Sequence, residues 1–210
     1  SNQSDVLWYS RRTSLEGVEK ALPKIKRLIA EGKIESVLVG GVDIGRKKHL
    51  TEIFLVGIGA REVTPIRMMV SLDRVEFDTQ ERIIRRILKV LPVSMLLIDQ
   101  NGIGMHLAEN LEADTCAQGV TFTNATKALW ATELKIQMER EKVPIPVDRA
   151  LAQQLHSIKK KITAAKNVVF DTEANEKHHA DKFWALALAR YAAREYHDRP
   201  QWGSTQGRHN

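Results

Sequence analysis

The sequence predicts an α/β fold in which helices cover both faces of a mixed sheet of five strands or more. Residues 94–98 form a short apolar run, which is typical of a strand buried on both faces. The run ends at Asp99, and Asn101-Gly102 gives a strong turn signal before a helical pattern over residues 105–111. We therefore expect Asp99 at the carboxyl end of a buried strand, where open α/β sheets have their sites.

Length and composition are those of an ordinary globular protein. The chain has 210 residues, of which 43% are hydrophobic and 28% are charged, and this is enough for one core. We expect a folded domain over residues 36–197, an N-terminal extension or linker helix in residues 1–35, and a disordered tail in residues 198–210. The single cysteine, Cys116, excludes an internal disulfide and a cysteine-based zinc cluster. No apolar run approaches the roughly 20 residues that a membrane span needs, so we expect no membrane partner.

The charge balance favours a polyanionic partner, with nucleic acid as the first choice. The formal net charge is +6 and the pI is about 9.5. Net charge alone leaves open the alternative of a basic soluble protein with no such partner. The sequence contains neither a G-x-x-x-x-G-K-[ST] nor a G-x-G-x-x-G motif, so no nucleotide-binding loop of those kinds is expected.

The first elements in chain order are a helix and three strands. Apolar side chains at helical spacing predict an amphipathic helix over residues 15–29, which ends at Gly32. Two interpretations of this helix are open: it links to another domain, or it covers the sheet of its own domain. Strands follow at residues 36–42, 50–58 and 66–72, and the first two form a hairpin with a basic tip.

The middle of the chain alternates between helices and strands. A helix over residues 78–91 ends at Pro92 and leads into the fourth strand at residues 94–98. The helix over residues 105–111 then leads into a short fifth strand at residues 120–122.

The last third of the chain is predicted to be mainly helical. Asn124 caps one helix, and the two prolines in residues 143–146 exclude a central strand there. A second helix is predicted over residues 148–162; its lysine run lies near the end, where cations suit the helix dipole. A short edge strand at residues 168–170 precedes a final helix over residues 178–196.

Three acids occupy the positions at which this topology would form a site. If the first and fourth strands are parallel neighbours, Asp43 and Asp99 lie side by side, and Asp181 falls in the first turn of the last helix. Like charges at close range repel, and a divalent ion offsets the repulsion. Two such ions about 3.5–4 Å apart can hold a phosphodiester for attack by water. Oxygen ligands favour Mg²⁺ or Mn²⁺, and two ions are expected here. Taken singly, each acid can instead cap a turn or a helix.

A histidine accompanies the third acid. His178 lies three residues before Asp181 and shares its helix face, which makes it a candidate ligand or a proton shuttle near neutral pH. The alternative is a solvent-exposed His178. His179 points elsewhere and is expected at the surface or in packing.

Several segments, in their order along the chain, resemble one protein family. They are Gly41-Val42-Asp43-Ile44-Gly45-Arg46-Lys47-Lys48, Phe77-Asp78-Thr79-Gln80-Glu81, Ile98-Asp99-Gln100-Asn101-Gly102-Ile103-Gly104, Val120-Thr121-Phe122-Thr123, Ile145-Pro146-Val147-Asp148 and His179-Ala180-Asp181-Lys182-Phe183-Trp184-Ala185-Leu186-Ala187-Leu188-Ala189. These segments are similar to stretches of the large terminase subunits of tailed phages, of the Mu-like variety. Each is weak alone, and the ordered set is specific.

The resemblance implies an RNase H-like nuclease domain that cuts concatemeric viral DNA at the start and end of packaging. It assigns the family's metal-binding acids to Asp43, Asp99 and Asp181, with His178 as an accompanying residue. It also implies double-stranded DNA as substrate, the terminase ATPase domain, the small subunit and the portal protein as partners, and the cytoplasm of the bacterial host as location. Because the ATPase motif is absent, the chain corresponds to the nuclease half. His49 is a departure, since the resemblance leads us to expect a second acid at the start of the second strand.

Basic side chains are expected to contact DNA phosphates without reading sequence. They are Arg46, Lys47 and Lys48 at the hairpin tip, Lys127 at a helix start, and Lys159, Lys160, Lys161 and Lys166. For any single one of them, a solvated surface position is the alternative.

Two other functions remain open. A cellular RNase H-like resolvase would prefer branched DNA to a linear duplex. A DNA-binding or docking module of the packaging motor that does not cut would lack metal-dependent heat stabilisation.

Overall fold

The computed structural model describes residues 9–10, 15–45, 50–102, 104–166, 168–172 and 180–199. Its strands are β1 Tyr9–Ser10, β2 Leu38–Asp43, β3 Thr51–Gly57, β4 Ile66–Leu72, β5 Val93–Asp99, β6 Ala117–Val120, β7 Ile158–Ile162 and β8 Val168–Thr172. Its helices are α1 Leu15–Ala30, α2 Phe77–Val90, α3 Gly104–Glu112, α4 Asn124–Glu139, α5 Arg149–Ser157 and α6 Asp181–Asp198, with a short 3-10 helix at Ala60–Glu62.

The main sheet is mixed, as the sequence predicted. Its strand order is β1-β4-β3-β2-β5-β6. Strands β2, β3 and β4 form an antiparallel meander, while β5 runs parallel to β2 and β6 runs parallel to β5. The carboxyl ends of β2 and β5 therefore meet at one edge of the sheet.

Helices cover both faces of this sheet, because alternate strand residues supply an apolar surface on each side. On one face α1, α2 and α3 pack on the sheet, and on the other face α4, α5 and α6 do so. Within α1, Val18, Leu22 and Ile25 are completely or almost completely buried in the core of the sheet. The structure therefore supports the interpretation that this helix covers the sheet of its own domain. The division into extension, domain and tail stays a prediction. Among the described residues, no helix has the length and apolarity to span a membrane.

The position of α6 depends on a close approach to β2. A side chain at Gly41 would collide with the backbone of Ala185 and Ala189 in α6. Because Gly41 has no side chain, α6 lies directly on the central strands β2 and β3. This contact brings the first turn of α6 over the end of β2 at which Asp43 lies.

Three sequence predictions about elements were wrong. The cap of α4 is Thr123 and not Asn124, since the Thr123 side chain accepts a hydrogen bond from the Thr126 amide at 3.1 Å. The predicted helix over residues 148–162 ends at Ser157, and Ile158–Ile162 is strand β7, antiparallel to β8. Apolar positions at helical spacing suggested the longer helix, but pairing with β8 decides the conformation and leaves Ile162 70% exposed. The fifth strand lies at Ala117–Val120, earlier than predicted, because it pairs with β5 in that register.

Candidate functional site

Asp43 and Asp99 lie next to each other at the carboxyl edge of the sheet. Val42 pairs with Ile98 in the parallel ladder between β2 and β5, and the two acids are the next residues along. Both are buried, with 8% and 7% of their surface exposed. Buried carboxylates in such proximity are unfavourable without a positive partner.

Asp181 is brought to the same edge by α6, whose first residue it is. Burial raises the pKa of Asp43 well above its usual range, and the negative charges of Asp181 and Asp99 raise this pKa further. The ammonium group of Lys127 acts in the opposite direction. The three predicted acids therefore form one electrostatically coupled cluster.

The alternative roles of these acids as caps are only partly realised. Asp99 does stabilise its turn, since its Oδ1 accepts a hydrogen bond from the Asn101 amide at 2.9 Å. The turn after Asp43 is instead closed by Thr51, whose Oγ1 accepts from the Gly45 amide at 3.0 Å. At the start of α6, Gln154 of α5 supplies the acceptor for the Lys182 amide at 2.8 Å.

A fourth acid, Glu52, was missed by the sequence analysis. It pairs directly with Asp43 across β2 and β3 and is completely buried. Its carboxylate accepts hydrogen bonds from Ser71 Oγ at 2.8–2.9 Å and from Lys182 Nζ at 3.1 Å. Burial raises the pKa of Glu52 to about 7, although Lys182 and Ser71 lower it. The available signal was a single acid within the apolar run of β3.

Among the predicted DNA-binding residues that the structure describes, Lys127 is the one whose charge lowers the pKa of Asp43. Its Nζ is 5.1 Å from the centre of the Trp184 ring and 6.0 Å from the centre of the Phe122 ring. A lysine held over aromatic rings is restricted in position. Because its charge lowers the pKa of Asp43, it supplies positive charge at the edge of the acid cluster.

The other predicted DNA-binding lysines that the structure describes lie in the β7–β8 hairpin, whereas Lys159, Lys160 and Lys161 were predicted on a helix. Lys159, Lys160 and Lys161 are in β7, and Lys166 is in the turn that follows. All four are exposed. The hairpin continues directly from α5, whose Gln154 contacts the first turn of α6. The basic strand thus begins close to the helix that carries Asp181.

The remaining predicted site residues lie outside the described residues. They are Arg46, Lys47 and Lys48 of the hairpin tip, and His178 beside Asp181. The same holds for His49 and His179. Their predicted roles stay predictions.

The acid cluster fits a hard divalent cation by its chemistry. In the described part of the chain, no three His, Cys, Asp or Glu side chains are positioned as a formed metal site. The donors are nevertheless carboxylate oxygens, which Mg²⁺ and Mn²⁺ prefer. Their mutual repulsion, evident in the raised pKa of Asp43, is the condition that a bound cation relieves.

Comparison with solved structures identifies similar folds. The large terminase nuclease of the thermophilic phage G20c with bound magnesium has a TM-score of 0.64 and 18% identity, over 74% of this chain and 80% of that one. The large terminase nuclease domain of Thermus phage P74-26 has a TM-score of 0.60 and 18% identity, over 73% and 77%. A K428A mutant nuclease domain of the large terminase subunit gp2 of bacterial virus Sf6, with manganese, has a TM-score of 0.57 and 10% identity, over 80% and 95%.

Sequence comparison is silent, since no family model and no curated protein matches the chain. The predicted Mu-like variety stays a prediction. At these identities the structural likeness concerns the fold, and the predicted resemblance is confirmed at that level. The chain has the RNase H-like fold of the nuclease domains of phage large terminases.

Proposed function

We propose that this protein is a divalent-metal-dependent DNA endonuclease, acting as the nuclease domain of a phage large terminase. The observation that carries the proposal is the cluster of the buried Asp43 and Asp99 with the half-buried Asp181 at the carboxyl edge of the sheet. Similar folds are known with bound magnesium and with manganese, and the residues here are of the type that holds such ions. The basic balance of the chain supports a nucleic-acid substrate.

In this proposal the three acids would be the protein ligands of two Mg²⁺ or Mn²⁺ ions. Asp43 and Asp99 would be shared ligands of the ions, and Asp181 would complete the ligand set. When bound, the ions activate water and stabilise the charge that develops on the phosphodiester. His178 assists as a further ligand or as a proton shuttle. Lys127, held over Trp184, contacts a phosphate beside the acids.

The substrate and partners follow from the resemblance to terminases. We propose concatemeric double-stranded DNA as substrate and the cytoplasm of the bacterial host as the place of cutting. The ATPase domain, the small subunit and the portal protein would be the partners of this domain.

Plasmid cleavage tests the proposal directly. The protein is incubated with supercoiled plasmid in EDTA, in Mg²⁺ and in Mn²⁺, beside Asp43→Ala and Asp99→Ala. We expect nicked and linear products only with metal and only from the wild type. Equal cutting by all three proteins would indicate a contaminating nuclease. Bound but uncut DNA in every reaction would contradict the enzyme and favour a docking module, while a preference for branched DNA would favour a resolvase.

The β7–β8 hairpin is expected to bind DNA backbone. Each lysine that neutralises a phosphate contributes about 0.9 to the slope of log affinity against log salt. The double variant Lys160→Ala/Lys161→Ala should therefore lower this slope by up to about two, as measured by fluorescence anisotropy with a duplex in Ca²⁺. The matched control is Lys24→Ala/Lys26→Ala on α1, which covers the opposite face of the sheet. Equal slopes for the two double variants would contradict a contact by the hairpin.

A further inference from the structure

A closed polar network lies directly beneath the acid cluster. Lys182 Nζ donates to Glu52 Oε2 at 3.1 Å and to Ser71 Oγ at 2.8 Å. Ser71 Oγ in turn lies 2.8–2.9 Å from both carboxylate oxygens of Glu52. None of the three residues is more than 4% exposed, so the network is shielded from solvent. We name Glu52, Ser71 and Lys182 the α6 anchor.

The α6 anchor is in register with the acids. Glu52 pairs with Asp43 on one side and with Ser71 on the other, so the side chains of all three point to the face covered by α6. Lys182 is the neighbour of Asp181 in the first turn of α6. Lys182 is thus the sequence neighbour of the candidate metal ligand Asp181, and Glu52 is the cross-strand neighbour of the candidate metal ligand Asp43.

Stability alone gives a poor account of this network. A buried ion pair contributes little net stability, because the cost of removing two charges from water offsets their attraction. The apolar side of α6 already fixes this helix to the sheet along its length, from Phe183 to Ala193. What the apolar contacts do not fix is the charge and the orientation of the first turn, where Asp181 lies.

We propose that Glu52 and Lys182 are positioning residues for the metal-binding acids, a role that rests on the proposed function. Lys182 ties the first turn of α6 to β3 and β4, which orients Asp181 toward Asp43 and Asp99. Glu52 neutralises the charge of Lys182, so that the buried ammonium does not repel an incoming cation. Anchoring and charge balance are separate effects, and variants can separate them.

The test measures metal binding without catalysis, by calorimetric titration and heat unfolding in Ca²⁺, and cleavage separately in Mg²⁺. Glu52→Gln keeps the shape of the side chain and leaves Lys182 unbalanced, so we expect about 10-fold weaker ion binding or more. Glu52→Gln/Lys182→Met removes both charges, so ion binding should return to near the wild-type value. Because the anchor is still absent, cleavage by the double variant should stay about 10-fold or more below wild type at saturating metal.

Two further variants keep the test decisive. Glu35→Gln disrupts another ion pair, the partly buried Glu35–Arg67 at 2.7 Å, located where β3 and β4 approach the opposite edge. It should lower stability and leave ion binding unchanged. If the double variant does not fold, Lys182→Arg keeps the charge and alters the geometry, and it should lower the cleavage rate more than ion binding.

The outcomes distinguish this inference from the proposed function. A wild-type protein that neither binds metal nor cuts DNA overturns both. A wild-type protein that does both, with Glu52→Gln binding ions as tightly as wild type, overturns the inference alone. Full cleavage by the double variant or by Lys182→Arg likewise overturns the positioning role.

Discussion

Asp99→Asn should reduce metal-dependent DNA cleavage by at least about 1,000-fold, which corresponds to about 4 kcal/mol of lost transition-state stabilisation. Asp99 contributes a buried carboxylate beside Asp43, and the amide of asparagine cannot replace its negative charge toward a cation. A cation that loses one of its anionic ligands binds less tightly and activates water less well.

The fold of this variant should be intact. Asparagine keeps a side-chain oxygen that can accept the hydrogen bond from the Asn101 amide, so the turn after β5 is preserved. Cleavage is measured under single-turnover conditions in Mg²⁺ and Mn²⁺, and the fold by circular dichroism and heat unfolding. The control is Asp78→Asn on α2, an exposed acid on the opposite side of the sheet, which should cut at the wild-type rate. Wild-type cleavage by Asp99→Asn would remove this residue from the site.

The second large effect is a stability advantage of Asp43→Asn over wild type in EDTA, which shrinks when metal is added. The pKa of Asp43 is raised by burial and by the charges of Asp181, Asp99 and Glu52, against the influence of Lys127. Above its unfolded-state pKa, near 3.8, the folded protein holds a proton that the unfolded chain has lost. Since the folded state binds more protons, the free energy of unfolding falls as pH rises. Glu52 adds a slope of the same sign between pH 4.5 and about 7.

Asp43→Asn removes the contribution of Asp43 to this pH dependence. In EDTA at pH 7.5 the variant should therefore be more stable than wild type, by about 1.4 kcal/mol for each unit by which the pKa of Asp43 is raised. With metal this advantage should shrink. An ion at 100 times its dissociation constant stabilises the folded wild type by about 2.7 kcal/mol, and the variant has lost that ligand.

Urea unfolding at pH 5.5 and 7.5, in EDTA and in Mg²⁺, measures all of these quantities. The difference between wild type and variant in EDTA should already be present at pH 5.5 and be larger at pH 7.5. Asp78→Asn serves again as the control, with wild-type behaviour in every condition. If wild type gains stability relative to Asp43→Asn as the pH rises in EDTA, the pKa of Asp43 is not raised in the folded protein. If Mg²⁺ stabilises neither protein, the metal site itself is contradicted.

Much of the site was predictable because its first two acids end strands. The apolar run before Asp99 and the hairpin that begins after Asp43 are local patterns, and the order of elements permits only a few sheet arrangements. The parallel pairing of β2 with β5 is one of these arrangements, and in the structure it brings the two carboxylates together. Asp181 was predictable from its place in the first turn of a strongly apolar helix, predicted from residue 178, which in the structure begins at Asp181.

Other features depend on pairing between distant segments, which periodicity does not report. The lysine-rich segment fits a helix by its spacing, but its partner strand β8 makes it a strand. Glu52 and Lys182 are 130 residues apart in sequence. Each is a single charged residue within an apolar element, and neither one alone predicts an ion pair. The contact of Lys127 with the ring of Trp184 in α6 is likewise a tertiary contact, which the sequence pattern does not predict.

The sequence by itself determined the class of fold, the strand ends that carry Asp43 and Asp99, and the basic character that favours DNA. These depend on residue type and on short-range spacing, which act before the chain is assembled. Only the tertiary structure decided that α6 lies against Gly41 and that Asp181 approaches the strand ends. Only it revealed that a buried ion pair of Glu52 and Lys182 lies beneath the acids. Such contacts arise when distant elements pack together and exclude water. The electrostatic interactions of a buried charge are then stronger than in water, and local sequence patterns do not show which charges become buried.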